Sequence, residues 1–160
     1  MGSHYTTQIQ INPYKLHTNR ATLAGIGLSY LSIWTKPMTK ANHTVLLVDD
    51  SAIIVERLKL MLEQIETIHE IRDANSYANA VILIEEAEPD IAILDINMPD
   101  KNGIELLRYV KNRHPDTIVI MMSNQADEFY RRLCYVLGVH CFIDKSIEFD
   151  KIPQIVASLP

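Results

Sequence analysis

Four runs of consecutive apolar residues lie in the last three-quarters of the chain, and each stops at a polar side chain. Val45-Leu46-Leu47-Val48 ends at Asp49-Asp50, and Ile91-Ala92-Ile93-Leu94 ends at Asp95. Ile118-Val119-Ile120-Met121-Met122 ends at Ser123, and Cys141-Phe142-Ile143 ends at Asp144-Lys145. Short unbroken runs of this kind suit strands buried on both faces, as in a parallel sheet. Residues 68–74 give a weaker strand, because His69, Glu70, Arg72 and Asp73 interrupt it. Between the runs the apolar positions recur at helical spacing. Ile54, Leu58, Met61, Leu62 and Ile65 make one stripe, and Tyr77, Ala80, Val81 and Ile84 a second. Ile104, Leu107 and Val110 make a third. A fourth helix is predicted over residues 127–137, closed by Gly138. The fifth is predicted over residues 146–158, with Ile152, Ile155, Val156 and Leu159 in register.

Strand then helix, five times over, predicts an α/β fold with a doubly wound, five-stranded parallel sheet. Open sheets of this kind place their chemistry at the carboxyl ends of the strands. Parallel pairing brings Asp49, Asp50, Asp95, Ser123 and Lys145 to one edge: three carboxylates, a hydroxyl and an ammonium in one crevice. Two like charges about 4 Å apart repel by about 4 kcal/mol at an effective dielectric near 20. A divalent cation offsets that cost. Oxygen ligands select a hard ion, and magnesium suits best because it keeps places for water and phosphate oxygens.

Composition adds limits. The 160 residues suffice for one domain with a real core and hardly for two. Net charge is −5, so no nucleic-acid footprint is expected. Residues 1–37 hold Lys15, Arg20 and Lys36 and no acid, whereas residues 38–160 hold 12 basic and 20 acidic side chains. The apolar patch over residues 23–34 is shorter than the ~20 residues a bilayer span needs, so no membrane insertion is expected. Cys134 and Cys141 lack metal-ligand spacing and read as reduced thiols of a cytoplasmic protein. Residues 1–43 read as a weakly ordered extension, tag-like at Met1-Gly2-Ser3-His4 or produced by a mis-called upstream start. The domain proper is expected over residues 44–160.

This constellation resembles the receiver domain of two-component response regulators. Asp49 with Asp50, then Asp95, Ser123 and Lys145, stand in the family's order and at about its spacing. The turn Asp95-Ile96-Asn97-Met98-Pro99-Asp100 with Gly103 resembles the family's own, and Phe142 falls at its aromatic switch. The resemblance implies a flavodoxin-like strand order 2-1-3-4-5 and a stand-alone, chemotaxis-regulator-like receiver. It implies Asp95 as phospho-acceptor, with Mg2+ on Asp49, Asp50, Asp95 and the backbone carbonyl of Asn97. Lys145 and Ser123 would each contact a phosphoryl oxygen. Phosphorylation would draw Ser123 inward, re-register the loop from Ser123 to Asp127, and open space for the Phe142 ring.

The implied donor is a histidine kinase or a histidine phosphotransfer protein. The implied readout is a downstream protein target, or a homodimer, on the face of the fourth helix, fifth strand and fifth helix, or onward relay of the phosphoryl group. Tyr130, Arg131 and Tyr135 are the interface candidates there. The chain is not expected to be an enzyme beyond slow self-dephosphorylation. A haloacid-dehalogenase-like phosphatase needs a second acid where Asn97 stands. A phosphorylation-independent module with the same fold is the alternative. Several positions depart from the family pattern: Ser146 follows Lys145 in place of the usual proline, Asn124 replaces a small residue, and Phe142 carries no hydroxyl.

Overall fold

Strands and helices alternate through residues 42–125 and 127–160, the part of the chain that the computed structural model describes. In order they are β1 (His43–Val48), α1 (Ala52–Leu62), β2 (Ile68–Ala74), α2 (Tyr77–Glu86), β3 (Ile91–Asp95) and α3 (Gly103–Arg113). β4 (Ile118–Ser123), α4 (Glu128–Val136), β5 (Cys141–Asp144) and α5 (Ile152–Ala157) complete the series. All strand pairs are parallel, in the order β2-β1-β3-β4-β5. The doubly wound sheet and its strand order are therefore as expected. The weakly ordered extension foreseen over residues 1–43 lies, as far as residue 41, outside the described residues.

Alternation along the strands divides the core into two layers. Leu46, Val48, Leu94, Val119, Met121 and Phe142 pack with Ala80, Ile84, Leu107, Val110 and Cys134 of α2, α3 and α4. Val45, Leu47, Ile91, Ile93, Ile120 and Ile143 pack with Val55, Leu58, Leu62, Ile152 and Val156 of α1 and α5. A strand with helices on both faces has no polar side to show, which is why β1, β3 and β4 read as unbroken apolar runs. β2 is an edge strand and only half-buried, so it keeps its charges, with Arg72 Nε on Glu70 Oε1 at 2.7 Å. The α1 stripe is shifted from the expected one: Val55, Leu58 and Leu62 are buried, whereas Ile54 and Met61 only flank the core.

The fifth helix departs from expectation. Residues 145–148 form a turn, Phe149–Lys151 is a 3-10 turn, and α5 begins only at Ile152. Pro153 explains this. An α-helix running from residue 146 would need an N–H at 153 to bond the Phe149 carbonyl, and proline has none. In the first turn of a helix that starts at Ile152, nothing is lost. Phe149, absent from the expected stripe, is buried beneath this turn. α4 ends as foreseen: Gly138 takes φ +90°, its N–H bonds the Tyr135 carbonyl, and the Val139 N–H bonds the Cys134 carbonyl. Cys134 is buried and Cys141 half-buried, both free, with thiols pushed up by burial to about 11.

α3 starts against the end of β3. The Gly103 N–H bonds the Ile96 carbonyl at 2.8 Å, and a Cβ added at Gly103 would lie 1.9 Å from the Asp95 carbonyl oxygen. Only glycine permits this approach. Gly103→Ala is expected to cost about 1–3 kcal/mol, as overpacking does, measured as a lower midpoint in urea unfolding. A midpoint equal to that of the parent chain would show that the loop yields freely.

Candidate functional site

The ladder of backbone hydrogen bonds runs on past the strand ends. Asp49 N–H donates to the Ala74 carbonyl (3.1 Å), Ile96 N–H to Met122 (3.0 Å) and Lys145 N–H to Ser123 (2.9 Å). With Val48 opposite Leu94, Asp95 opposite Met122 and Ser123 opposite Asp144, the polar residues after each run arrive at one level.

There, Lys145 Nζ lies 2.5 Å from Asp49 Oδ2 and 2.8 Å from Asp95 Oδ1, with all three side chains buried. Asp49 Oδ1 accepts from the Ser51 N–H at 2.9 Å, and Asp95 Oδ2 from the Asn97 N–H at 3.0 Å. Asp50 is exposed, and one oxygen from each of Asp49, Asp50 and Asp95 lies within 4.8 Å of the others. Burial pushes the Asp95 carboxyl above its usual range, against the pull of Lys145. Burial also works against the Lys145 ammonium, but its bonds to Asp49 and Asp95 carry it above its usual value.

The donor set fits a hard cation. It is all oxygen, it concentrates negative charge, and Asp95 Oδ1 is buried without an aligned hydrogen bond, its contact with Lys145 being ionic. An open cleft of about 490 Å³ adjoins it, bounded by Asp49, Asp50, Glu56, Asp73, Asn75 and Asn79. Ser123 is buried beside β3, but its Oγ is engaged within its own loop. It accepts from the Gln125 N–H and donates to the Gln125 carbonyl, both at 3.0 Å.

The sequence model of the response regulator receiver domain matches residues 45–157. The chain belongs to that family. The receiver is 30% identical over 112 residues to the transcriptional regulatory protein DegU of Brevibacillus brevis, covering 70% of this chain and 48% of DegU. It is 38% identical over 112 residues to the DNA-binding transcriptional activator DevR/DosR of Mycobacterium tuberculosis, covering 70% and 52%. Among solved structures it resembles the CheX-CheY-BeF3-Mg2+ complex of Borrelia burgdorferi. There the TM-score is 0.66 and the identity 32%, with 72% of this chain and 87% of that one covered. The chain spans about half the length of the curated relatives it matches.

In this receiver the Phe142 ring, for which phosphorylation was expected to open space, is buried. Of the interface candidates on α4, Tyr135 is exposed, Tyr130 leans on the core, and Arg131 turns back over Phe142. Phe129 and Val136 are the most exposed apolar side chains of that helix. No helix among the described residues is long and apolar enough to cross a membrane.

Asp100 has a role that the sequence did not reveal. Its carboxylate accepts from the Tyr77 N–H (3.0 Å) and the Ala78 N–H (3.1 Å), the free amides at the start of α2. It also accepts from the Lys101 N–H at 2.9 Å. The tip of the Asp95 loop is thus tied to a helix 22 residues away in sequence. No local pattern announces that partner. These backbone bonds hold the Asp100 carboxyl below its usual range. Its contribution is therefore present above the unfolded carboxylate pKa and is lost as pH falls through the folded one. Asp100→Asn is expected to melt lower than the parent at pH 7, with the gap closing below about pH 4. A gap independent of pH would rule out the carboxylate charge as its source.

Proposed function

We propose that this chain accepts a phosphoryl group on Asp95 from a phosphohistidine of a histidine kinase or phosphotransfer protein, with Mg2+ in the acidic pocket. The observation that carries this reading is the buried ammonium of Lys145 shared between Asp49 and Asp95. An Asp95 oxygen attacks phosphorus, the P–N bond to the donor imidazole breaks, and its electron pair returns to the ring nitrogen. An acyl phosphate on Asp95 results. Bound at the three carboxylates, Mg2+ supplies positive charge and a coordination place for a phosphoryl oxygen.

The chain's own groups do the rest. Lys145 keeps Asp49 as an anchor and presents its charge to a phosphoryl oxygen. Ser123 Oγ can donate to another once it leaves the Gln125 carbonyl. The Asn97 N–H holds Asp95 Oδ2 in place. The chain has no general acid at position 97, so its own turnover is confined to slow loss of the phosphoryl group. We place it in the cytoplasm, acting through protein contacts on the face of α4, β5 and α5 with a downstream target or a second copy. DNA binding by the longer relatives is not carried over to residues 38–160, where acidic side chains outnumber basic ones by 20 to 12.

Incubation with a small-molecule phosphodonor and Mg2+ tests the reading by mass spectrometry. One hydroxylamine-labile adduct per chain is expected, absent in Asp95→Asn. No adduct in the parent chain would favour a phosphorylation-independent module, and multiple turnover of the donor a phosphatase. By calorimetry, Asp50→Asn is expected to weaken Mg2+ binding by about tenfold or more, since even outer-shell partners cost that much. Unchanged affinity would remove Asp50 from the pocket.

A further inference from the structure

Phe142 is 2% exposed although it lies on an edge strand, where it packs with the core and with a side chain of α4. That side chain is Arg131. Its guanidinium carbon sits 4.8 Å from the ring centroid, and Nη1 donates to the carbonyl of Phe142 itself at 3.2 Å. Ring and backbone of one residue are thus held by one side chain. Arg131 is braced in turn by Glu148, whose Oε2 lies 3.9 Å from Nη2 and accepts from the Asp144 N–H at 3.2 Å. Lys151 Nζ bonds the other Glu148 oxygen at 3.2 Å. The chain of contacts runs from α4 through β5 to the turn before α5. Cation–π contacts of this kind strengthen as they are desolvated, and Arg131 and Glu148 are both half-buried.

None of these groups touches Asp95, and none of the contacts requires anything on it. We propose that Arg131, braced by Glu148, is a latch that keeps the Phe142 ring buried in the unmodified chain, so that ring burial precedes phosphorylation. The phosphoryl group then acts on the loop after Ser123 and not on the ring. The part concerning the phosphoryl group rests on the receiver reading above; the latch itself does not.

The chain has three phenylalanines, which makes the test internal. With fluorophenylalanine incorporated throughout the full chain, Phe149 reports a buried ring and Phe129, 68% exposed, an open one. Phe142→Leu assigns the remaining line. Relaxation by a soluble paramagnetic agent is then read for each line. In the free parent chain Phe142 is expected to be as protected as Phe149, and saturating Mg2+ with beryllofluoride is expected to leave that protection unchanged. In Arg131→Met its relaxation is expected to rise by threefold or more while Phe149 stays protected. A parent Phe142 as open as Phe129 until beryllofluoride is added would overturn the latch, as would Arg131→Met with protection intact. Should Phe149 also open in Arg131→Met, the domain has loosened and Glu148→Gln decides. Greater exposure of Phe142 alone supports the latch, and none overturns it. If beryllofluoride moves no line and the phosphodonor leaves no adduct, the receiver chemistry fails, while the free-chain comparison still judges the latch.

Discussion

A buried ammonium between two buried carboxylates sets the terms for the rest of this structure. Lys145, Asp49 and Asp95 have given up water for one another. Buried ion pairs seldom outperform a well-packed apolar cluster in stability, because desolvation consumes much of the Coulombic gain. A third carboxylate, Asp50, crowds the same edge. An arrangement that costs stability and gathers charge where parallel strands end is the signature of a site. The sheet makes it geometrically possible. Three strands must finish at one level, and the backbone bonds of Asp49, Ile96 and Lys145 beyond the strand ends fix that level.

The two loops that flank Asp95 are held in contrasting ways. The Asp95 loop is anchored at long range, Ile96 to Met122 and Asp100 to the start of α2, and Gly103 closes it locally against the backbone of Asp95 and Ile96. Beyond the Lys145 N–H bond to the Ser123 carbonyl at its base, the bonds among the described residues of the loop after β4 are local, Ser123 with Gln125 and Asp127 with Phe129. As the proposed nucleophile, Asp95 gains from a fixed position. A responding segment gains from bonds that can be exchanged at small cost.

Much of this was legible in the sequence because burial on both faces leaves an unmistakable trace. The runs ending at Asp49, Asp95, Ser123 and Lys145 pointed to the strands and the sheet type, and the structure brings Asp49, Asp50, Asp95 and Lys145 together where they end. Less legible were features whose cause lies far along the chain. Asp100 reads as an ordinary turn residue until α2 is seen to offer it two amides. Arg131 reads as an interface candidate until the structure places it over the ring of Phe142. The late start of α5 was foreseeable from Pro153 alone, yet helical spacing of Ile152, Ile155 and Val156 drew the helix back too far.

On the proposed reading, charge decides how a modification at Asp95 reaches the surface. A phosphoryl group carries roughly −1.5 to −2 at neutral pH, more than the carboxylate it replaces. Lys145 is already shared between Asp49 and Asp95, so its single charge offsets only part of the addition. The added charge therefore calls on a donor still engaged elsewhere. Ser123 Oγ is buried at the end of the adjacent strand, with its proton on the Gln125 carbonyl. Moving that proton to a phosphoryl oxygen breaks the bond that shapes the loop leading into α4. A ligand shifts a conformational equilibrium only by what it contacts differently in the two states. On the proposed reading, this exchange of one hydrogen bond is that difference. It carries the signal toward α4 while the ring of Phe142 stays where Arg131 holds it.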